Sequence, residues 1–372
     1  MLVIYTVECC RALSERIARH FQELGQDVEA VGTSSCLDNQ ADIRRLLRFS
    51  THPNVGAVLA IGHGCEYTKP QKIAEFARQR GRESQWFYQQ EAGGSVKGYD
   101  KGLEIVRELL KKLEATPREP MYLSELVLAG ECGGSDFTSG LAGNALIGRV
   151  FDRLVDAGGT AIFEELCEGL GLKEYLAARA ATPRVADDIR RAYDKTMEFC
   201  VKYGHFSIAP GNMDGGLTTI EEKSMGAMVK SGTRPIRGVL KIAQAPKKPG
   251  LYLLDTTPDE KPSDMLDLIA CGAHIVFLVT GRGHVVGTPV SPVIKVTGNP
   301  RTYERMKDDI DFCAAPALTG DRSLDDLSDD LLELVSRVAQ GERTNAERLG
   351  HREGILYFNY QDPEKVPCEW HF

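Results

Sequence analysis

The chain has 372 residues, more than a single hydrophobic core usually organises, so two or three packed units are expected. Hydrophobic residues make up 42% of the sequence and charged residues 26%, a composition that excludes an intrinsically disordered or collagen-like chain. The formal net charge of -8, without a clustered run of Lys and Arg, argues against a nucleic-acid partner, and no apolar stretch approaches the roughly 18 to 20 residues of a membrane span.

The N-terminal segment MLVIYTVECC is a short apolar run without a basic leader or a small-residue cleavage site. It predicts a first buried strand and a cytoplasmic protein. The ten cysteines are then expected to be thiols available for metal binding or catalysis rather than disulfides.

Short runs rich in Val, Ile and Leu recur along the chain, each followed by a turn with Gly or Cys and then by a segment of helical periodicity. The clearest predicted strands are Leu2–Thr6, Val28–Thr33, Val55–Gly62, Leu126–Gly130, Thr160–Phe163, Tyr252–Leu254 and His274–Thr280. Helical patterns over Arg11–Leu24 and Asp42–Phe49 have the length of right-handed crossover connections. The sequence predicts an α/β fold with mostly parallel, doubly wound sheets in two Rossmann-like domains.

A polar, proline-broken stretch from Leu113 to Pro120 marks the predicted domain boundary. It separates an N-terminal α/β domain, residues 1–115, from a C-terminal α/β catalytic domain, residues 116–372. Residues 206–216 are rich in Gly, Pro and Asn and are expected to form a functional loop. The acidic stretch from Ser323 to Glu333 predicts the solvated start of a helix.

Four cysteines stand at equivalent points, each shortly after a predicted strand: Cys9, Cys36, Cys65 and Cys132. Because ligands bind at the carboxyl ends of parallel strands, these thiols are expected to converge on one rim and to bind iron, as an ion or as an iron-sulfur cluster. Cys36, Cys65 and Cys132 are the predicted ligands, with Cys9 in reserve. The alternative is that cysteine, a small and often buried residue, ends these strands by chance.

Carboxylates and glycines accompany two of these cysteines. Glu131 precedes Cys132, and the amides of the residues that follow are expected to face a substrate carboxylate. These candidate substrate-binding residues are Gly133, Gly134 and Ser135. In the same way, His63 and Glu66 flank Cys65. A tight turn with an exposed acid is the structural alternative.

The stretch PGNMDGGLTTIEEKS, residues 210–224, is a glycine loop entering a helix. The free amides of a helix N-terminus bind anions, and Lys223 adds a full positive charge. The predicted substrate contacts are Asn212, Thr218, Thr219 and Lys223. An ordinary capped helix would have the same pattern.

Two further cations follow predicted strands near the C-terminal end. Arg282, between two glycines, is suited to bidentate recognition of a carboxylate, and Lys295 is positioned to polarise an enolate oxygen. A structural ion pair is the alternative for Arg282. The run MKDDID, residues 306–311, is typical of a solvated turn.

Six segments together resemble the altronate/galactarate dehydratase family, including the large subunits of its sulfolactate sulfo-lyase relatives. They read HPNVGAVLAIGHGCE, LSELVLAGECGGSDFTSGLAGN, PGNMDGGLTTIEEKSMGA, VTGRG, PVIKVTGN and MKDDID and extend from about Thr51 to Asp311. The resemblance implies iron-stimulated elimination of water from a sugar acid, giving an enol that tautomerises to a 2-keto-3-deoxy acid. It also implies a small SAF domain, which is expected here as a separate subunit of an oligomer because the chain opens directly on its first strand.

The family pattern is not matched everywhere. His63 stands where a leucine-like residue is expected, Ser34 and Ser35 replace a His/Gly-rich approach to Cys36, and Cys313 stands near an expected Asn. These differences leave the substrate open.

Elimination requires removal of the proton α to a carboxylate, which a metal assists by spreading the developing charge. In the mechanism that the resemblance implies, the predicted iron binds the leaving hydroxyl or the carboxylate, while Arg282 and Lys223 orient the acid. The candidate bases are Glu131, Glu66 and His63. Three hypotheses follow: a sugar-acid dehydratase, a sulfo-lyase that expels sulfite from a sulfonated 2-hydroxy acid, and a non-catalytic binding subunit.

Overall fold

The computed structural model describes residues 1–117, 119–169, 171–203, 210–256, 263–354 and 356. Contacts divide the chain into two units, residues 1–120 with 354–372 and residues 121–353. Each unit has a sheet of parallel strands flanked by helices, as the sequence predicts.

The first unit has a four-stranded sheet with the order β2-β1-β3-β4, in which every neighbouring pair is parallel. Its strands are β1 Leu2–Tyr5, β2 Glu29–Gly32, β3 Ala57–Gly62 and β4 Glu83–Tyr88. Its helices are α1 Arg11–Glu23, α2 Gln40–Ser50, α3 Pro70–Gln79 and α4 Ser95–Leu113.

Helix α1 shows why this unit folds around its sheet. Leu13, Ile17 and Phe21 recur at a spacing of four residues, which places them on one face of the helix, and all three are buried in a core shared with β1 and β3. Gly102 of α4 lets that helix approach closely, since a Cβ there would lie 2.3 Å from Ile17 Cδ1. The apolar periodicity of the sequence therefore determines which faces pack.

The second unit has a seven-stranded parallel sheet with the order β11-β10-β9-β5-β6-β8-β7. Its strands are β5 Val127–Cys132, β6 Thr160–Phe163, β7 Ile236–Lys241, β8 Gly250–Asp255, β9 Ile275–Val279, β10 Val293–Thr297 and β11 Phe312–Cys313. Its helices are α5 Asn144–Asp156, α6 Lys173–Ala178, α7 Pro183–Tyr203, α8 Pro210–Asp214, α9 Ile220–Met228, α10 Ser263–Ala270, α11 Pro300–Arg305, α12 Pro316–Thr319, α13 Leu324–Ala339 and α14 Asn345–Leu349. A π-helical turn, Ser139–Gly143, leads into α5.

Helix α5 packs its apolar face on the centre of this sheet. Phe151 is 1% exposed, and its ring centroid lies 6.3 Å from that of Phe277 on β9. Gly130 on β5 provides the space, because a Cβ at that position would lie 3.2 Å from the tip of the Phe151 ring. The core thus sits directly behind the carboxyl ends of the central strands.

All seven predicted strands are present within a few residues of their expected bounds, and the predicted helices correspond to α1 and α2. Four strands, β4, β7, β10 and β11, are absent from the prediction. β4 and β7 are edge strands with polar, partly exposed residues, β11 has only two residues, and Lys295 interrupts the apolar run of β10.

The structure tests two local predictions, the loop over residues 206–216 and the helix start at Ser323. The expected loop over residues 206–216 is wrong for Pro210–Asp214, which form α8, while residues 206–209 lie outside the described part. The predicted helix start at Ser323 is confirmed, since its side chain caps α13. No helix within the described ranges is long and apolar enough to cross a membrane.

Gly148 on α5 provides a test of the packing that supports the strand ends. A Cβ at Gly148 would lie 2.3 Å from the Val229 carbonyl oxygen, and backbone cannot move aside as a flexible side chain can. We predict that Gly148→Ala lowers the free energy of unfolding by about 1 to 3 kcal/mol, measured by urea denaturation. Gly98→Ala on α4 is the control, because its new Cβ would meet a mobile Leu13 methyl at 3.3 Å. Equal stability of the two variants would contradict the packing argument.

Candidate active site

Four glutamates lie buried at the carboxyl ends of two neighbouring strands in the second unit. Glu131 is on β5, and Glu164, Glu165 and Glu168 directly follow β6, which is parallel to β5. Their exposures are 8%, 6%, 0% and 5%. Carboxylates are almost never buried without partners, so this rim is chemically unusual.

Two lysines compensate these carboxylates. Lys230, fully buried in the turn Val229–Ser231 after α9, forms an ion pair with Glu165 and also donates to the Cys132 sulfur at 2.8 Å. Lys223 on α9 lies 3.9 Å from Glu168 Oε1. Both lysines therefore come from one helix and its following turn, which pack over the strand ends.

The backbone of Glu165 is strained. Its φ of 98° lies in the left-handed region that residues with a Cβ rarely occupy. Such a conformation persists only where surrounding interactions hold it, and it is commonest at functional sites. Here the buried ion pair with Lys230 holds the side chain in place.

Glu164 has the chemistry of a proton donor. Burial raises its pKa well above the ordinary value, and the nearby carboxylates of Glu131, Asp264 and Glu168 raise it further, while Lys230 lowers it. The carboxyl group consequently holds its proton at a pH where an exposed glutamate is ionised. Neighbouring acids in different environments are a common arrangement for acid–base catalysis.

A pocket of about 280 Å³ opens beside this cluster. Its lining residues come from the segment that follows β5 and from α9 with its flanks: Ser135, Asp136, Phe137, Ser139, Gly140, Leu141, Asn144, Leu217, Glu222, Lys223, Met225, Gly226, Ala227 and Val229. Asn144 connects the pocket to the cluster, because its Nδ2 lies 3.9 Å from the Cys132 sulfur. Ser135 and Lys223 are the predicted site residues that the pocket brings together.

The glycine turn after β5 is held by bonds within the protein. The Gly133 amide donates to the Val279 carbonyl at 2.7 Å, and the Ser135 amide donates to Asn212 Oδ1 at 3.0 Å. The Gly134 carbonyl accepts from the Arg282 amide at 3.0 Å. The amides of Gly133 and Ser135 are thus already occupied by protein acceptors, unlike the arrangement expected for an anion site.

Arg282 and Lys295 occupy different environments. The Arg282 guanidinium donates to the Gly211 carbonyl at 2.7 Å, and its side chain is 42% exposed. Lys295 is fully buried and donates to the Val285 and Val286 carbonyls at 3.2 and 3.4 Å; burial lowers its pKa, although Asp311 opposes the shift. Neither residue lines the pocket.

The two threonines before α9 act at its N-terminus. Thr219 caps the helix by accepting from the Glu222 amide at 3.2 Å, and Thr218 donates both its amide and its hydroxyl to the Glu222 carboxylate at 2.7 Å. Of the two threonines, Thr219 is therefore the N-cap. Both hydroxyls are therefore engaged in ordering the helix that carries Lys223.

In the first unit, Glu66 orders the loop after β3. Burial acts to raise its pKa, but hydrogen bonds from the Gly64 amide, the Thr6 hydroxyl and the His63 amide outweigh it and hold the pKa below the ordinary value. A stabilised carboxylate of this kind is a weak base. The neighbouring His63 differs, since its buried Nδ1 has no hydrogen-bond partner among the described residues.

The predicted iron ligands are divided between the two units. Cys9, Cys36 and Cys65 follow three adjacent parallel strands of the first unit and are exposed, whereas Cys132 is in the second unit. The Tyr67 amide donates to the Cys36 carbonyl at 3.0 Å, which joins two of these loops. Across the described ranges, no three His, Cys, Asp or Glu side chains form a group that could hold a metal ion. Among the residues that the structure describes, neither unit therefore contains a preformed thiolate centre.

Several residues of the buried cluster and the adjoining pocket were not predicted from the sequence. These are Glu164, Glu165, Glu168, Lys230 and Asn144. The glutamates were detectable, because TAIF-EELCE places acids directly after a predicted strand, the same criterion that selected the cysteines. The sequence carried no comparable sign for Lys230 or Asn144.

Comparisons with known proteins identify the family of this chain. Residues 123–361 match the family model described as D-galactarate/Altronate dehydratase, C-terminal, and residues 1–114 match D-galactarate dehydratase/Altronate hydrolase, second domain. The chain is similar to the (2R)-sulfolactate sulfo-lyase subunit beta of Chromohalobacter salexigens, with 34% identity over 87% of this chain and 84% of that protein. It is also similar to the altronate dehydratases of Bacillus subtilis, with 29% identity over 95% of this chain and 73% of that protein, and Escherichia coli, with 28% identity over 95% and 74%. With both segments matched and a relative above 30% identity, this chain belongs to the D-galactarate/altronate dehydratase family.

Proposed function

We propose that this chain is a lyase that eliminates a β-substituent from a small 2-hydroxy acid, with water as the leaving group. The observation that carries the proposal is the buried cluster beside the pocket. It combines a carboxyl group with a raised pKa, lysine-paired carboxylates and a pocket-lining lysine. Relatives named as dehydratases and as a sulfo-lyase subunit support an elimination reaction.

Each step of an elimination has a candidate group in the second unit. Lys223 lines the pocket and is suited to binding the substrate carboxylate. Glu131 is the candidate base for the α-proton, and Glu164, which retains its proton, is the candidate acid for the departing hydroxyl. Glu168 would hold Lys223 in position.

Sulfite is a second candidate leaving group. The relative with 34% identity is named as a sulfolactate sulfo-lyase subunit, while the dehydratases have 28% and 29% identity. Against it, a sulfonated acid brings a second negative charge, and Lys223 is the one Lys or Arg among the residues lining the pocket in the described chain. Galactarate, with two carboxylates, meets the same objection, so this charge balance favours a sugar acid with one carboxylate, such as altronate, and therefore water.

Iron stays a prediction, with Cys36, Cys65 and Cys132 as its proposed ligands and Cys9 in reserve. A separate small SAF-type subunit also stays a prediction. The name of the sulfo-lyase relative, subunit beta, supports a protein made of more than one kind of chain.

An anaerobic turnover assay tests the proposed function. We expect the protein, supplied with Fe²⁺ and a thiol reductant, to convert D-altronate or D-galactarate to a 2-keto-3-deoxy acid without releasing sulfite from (2R)-sulfolactate. Lys223→Met should abolish turnover, whereas Lys173→Met, which removes an exposed lysine paired with Asp194 at 2.8 Å, should not. Sulfite release alone would establish the second candidate, and no turnover of any of the three acids would contradict the lyase proposal.

The raised pKa of Glu164 predicts a pH dependence of stability. Because the folded pKa exceeds the unfolded one, the side chain contributes its full stability below the unfolded pKa and loses it as pH rises through the folded pKa. Glu164→Gln should therefore match the wild type in Tm near pH 4 and exceed it at pH 8. If Glu164 is the acid, kcat should also fall by about 10² or more. Glu333→Gln, an exposed residue paired with Arg337, is the control and should change neither quantity. A Tm difference that does not vary with pH would contradict the assignment.

Iron content tests the thiolate ligands separately from activity. We expect Cys36→Ser, Cys65→Ser and Cys132→Ser each to lower the iron bound per chain after anaerobic reconstitution, measured by elemental analysis, because serine is a poor replacement for thiolate. Cys271→Ser, a change at a buried cysteine remote from the predicted set in sequence, should retain iron. Unchanged iron content in all three variants would exclude these ligands.

A further inference from the structure

Asn144, the first residue of α5, lines the pocket and is 1% exposed. Its Nδ2 donates to the Gly226 carbonyl at 2.7 Å and lies 3.9 Å from the Cys132 sulfur. Only the amino end of a carboxamide donates hydrogen bonds, so these contacts fix its orientation. The carbonyl oxygen Oδ1 is left as a pure acceptor on the other side of the group.

The Asn144 Oδ1 atom is buried and has no hydrogen-bond partner within the described ranges. A buried acceptor without a donor carries an uncompensated desolvation penalty, and native structures rarely retain one without a functional reason. Two neighbouring hydroxyls of the pocket donate elsewhere: the Ser135 hydroxyl donates to the Gly133 carbonyl at 3.5 Å, and the Ser139 hydroxyl donates to Asp136 Oδ1 at 3.4 Å. The missing donor is therefore expected to come from a bound molecule.

We propose that Asn144 Oδ1 accepts a hydrogen bond from a hydroxyl group of the substrate, which makes Asn144 a residue that determines specificity for hydroxylated acids. This inference rests on the proposed function, since it assigns a substrate group to the same pocket. An ionised carboxylate or sulfonate has no proton to donate and would be repelled by the amide oxygen. Lys223 and Asn144 line the same pocket, so one can bind the acid group while the other selects the hydroxylated carbon.

Matched ligand pairs test this assignment without depending on turnover. Thermal-shift titrations would give apparent Kd values for D-altronate against hexanoate, D-galactarate against adipate, and (2R)-sulfolactate against 3-sulfopropionate. The wild type should bind the hydroxylated member of at least one pair more tightly. Leucine is similar in size to asparagine but lacks the acceptor. Asn144→Leu should therefore raise the Kd for the hydroxylated ligand by about tenfold, the effect of one hydrogen bond, and leave the Kd for its hydroxyl-free counterpart unchanged.

Two further variants separate recognition from structural damage. Asn345→Leu is the matched control, because that amide also donates to a backbone carbonyl, Ile310 at 3.0 Å, but does not line the pocket. Asn144→Ala should repeat the loss if the leucine variant does not fold. The inference is overturned if the wild type shows no hydroxyl preference, or if the Asn144 variants retain it or weaken both members of a pair equally.

These experiments distinguish failure of the Asn144 inference from failure of the proposed lyase function. If Asn144→Leu abolishes hydroxyl-dependent binding but the protein turns over none of the acids, the inference holds and the lyase proposal is rejected. If the protein turns over an acid and the Asn144 variants keep the same hydroxyl preference, the lyase proposal holds and the inference is rejected.

Discussion

A carboxylate removed from water must be paired with a positive charge or retain its proton, and four such groups meet at the carboxyl ends of β5 and β6. Glu165 and Glu168 are paired with lysines, while Glu164 holds its proton because burial and its neighbours raise its pKa. Chemically similar side chains therefore lie in different electrostatic environments.

Close backbone packing is what lets the two lysines reach the carboxylates. Gly140 in the π-helical turn faces Gly226 on α9, where a Cβ on Gly140 would lie 2.7 Å from the Gly226 Cα. Gly148 similarly faces the Val229 carbonyl at the turn that carries Lys230. Small residues at these crossings allow α9 and its turn to lie directly over the strand ends. π-helical turns are frequent at functional sites, and here one forms a wall of the pocket.

The family members similar to this chain include enzymes named for different leaving groups, water and sulfite. Both eliminations need proton abstraction next to a carboxylate, so a shared acid–base cluster is compatible with either. Discrimination must then depend on the groups that contact the rest of the substrate. Asn144 and Lys223 line the pocket and are suited to that task because one accepts a hydrogen bond and the other donates one.

The sequence by itself determined the parallel α/β architecture, because strand-forming apolar runs alternate with amphipathic helices and both patterns are local. It also predicted a helix that starts after the glycine loop of residues 210–216, and Thr219 caps that helix. Only the tertiary structure decided how these groups are paired. Lys230 stands 98 positions from Cys132 in an unremarkable VKSG segment, and Asn144 stands 82 positions from Gly226, so neither contact has a local signal. The occupied amides of Gly133 and Ser135 and the raised pKa of Glu164 were equally inaccessible, since hydrogen bonding and desolvation depend on neighbours that only the folded chain supplies.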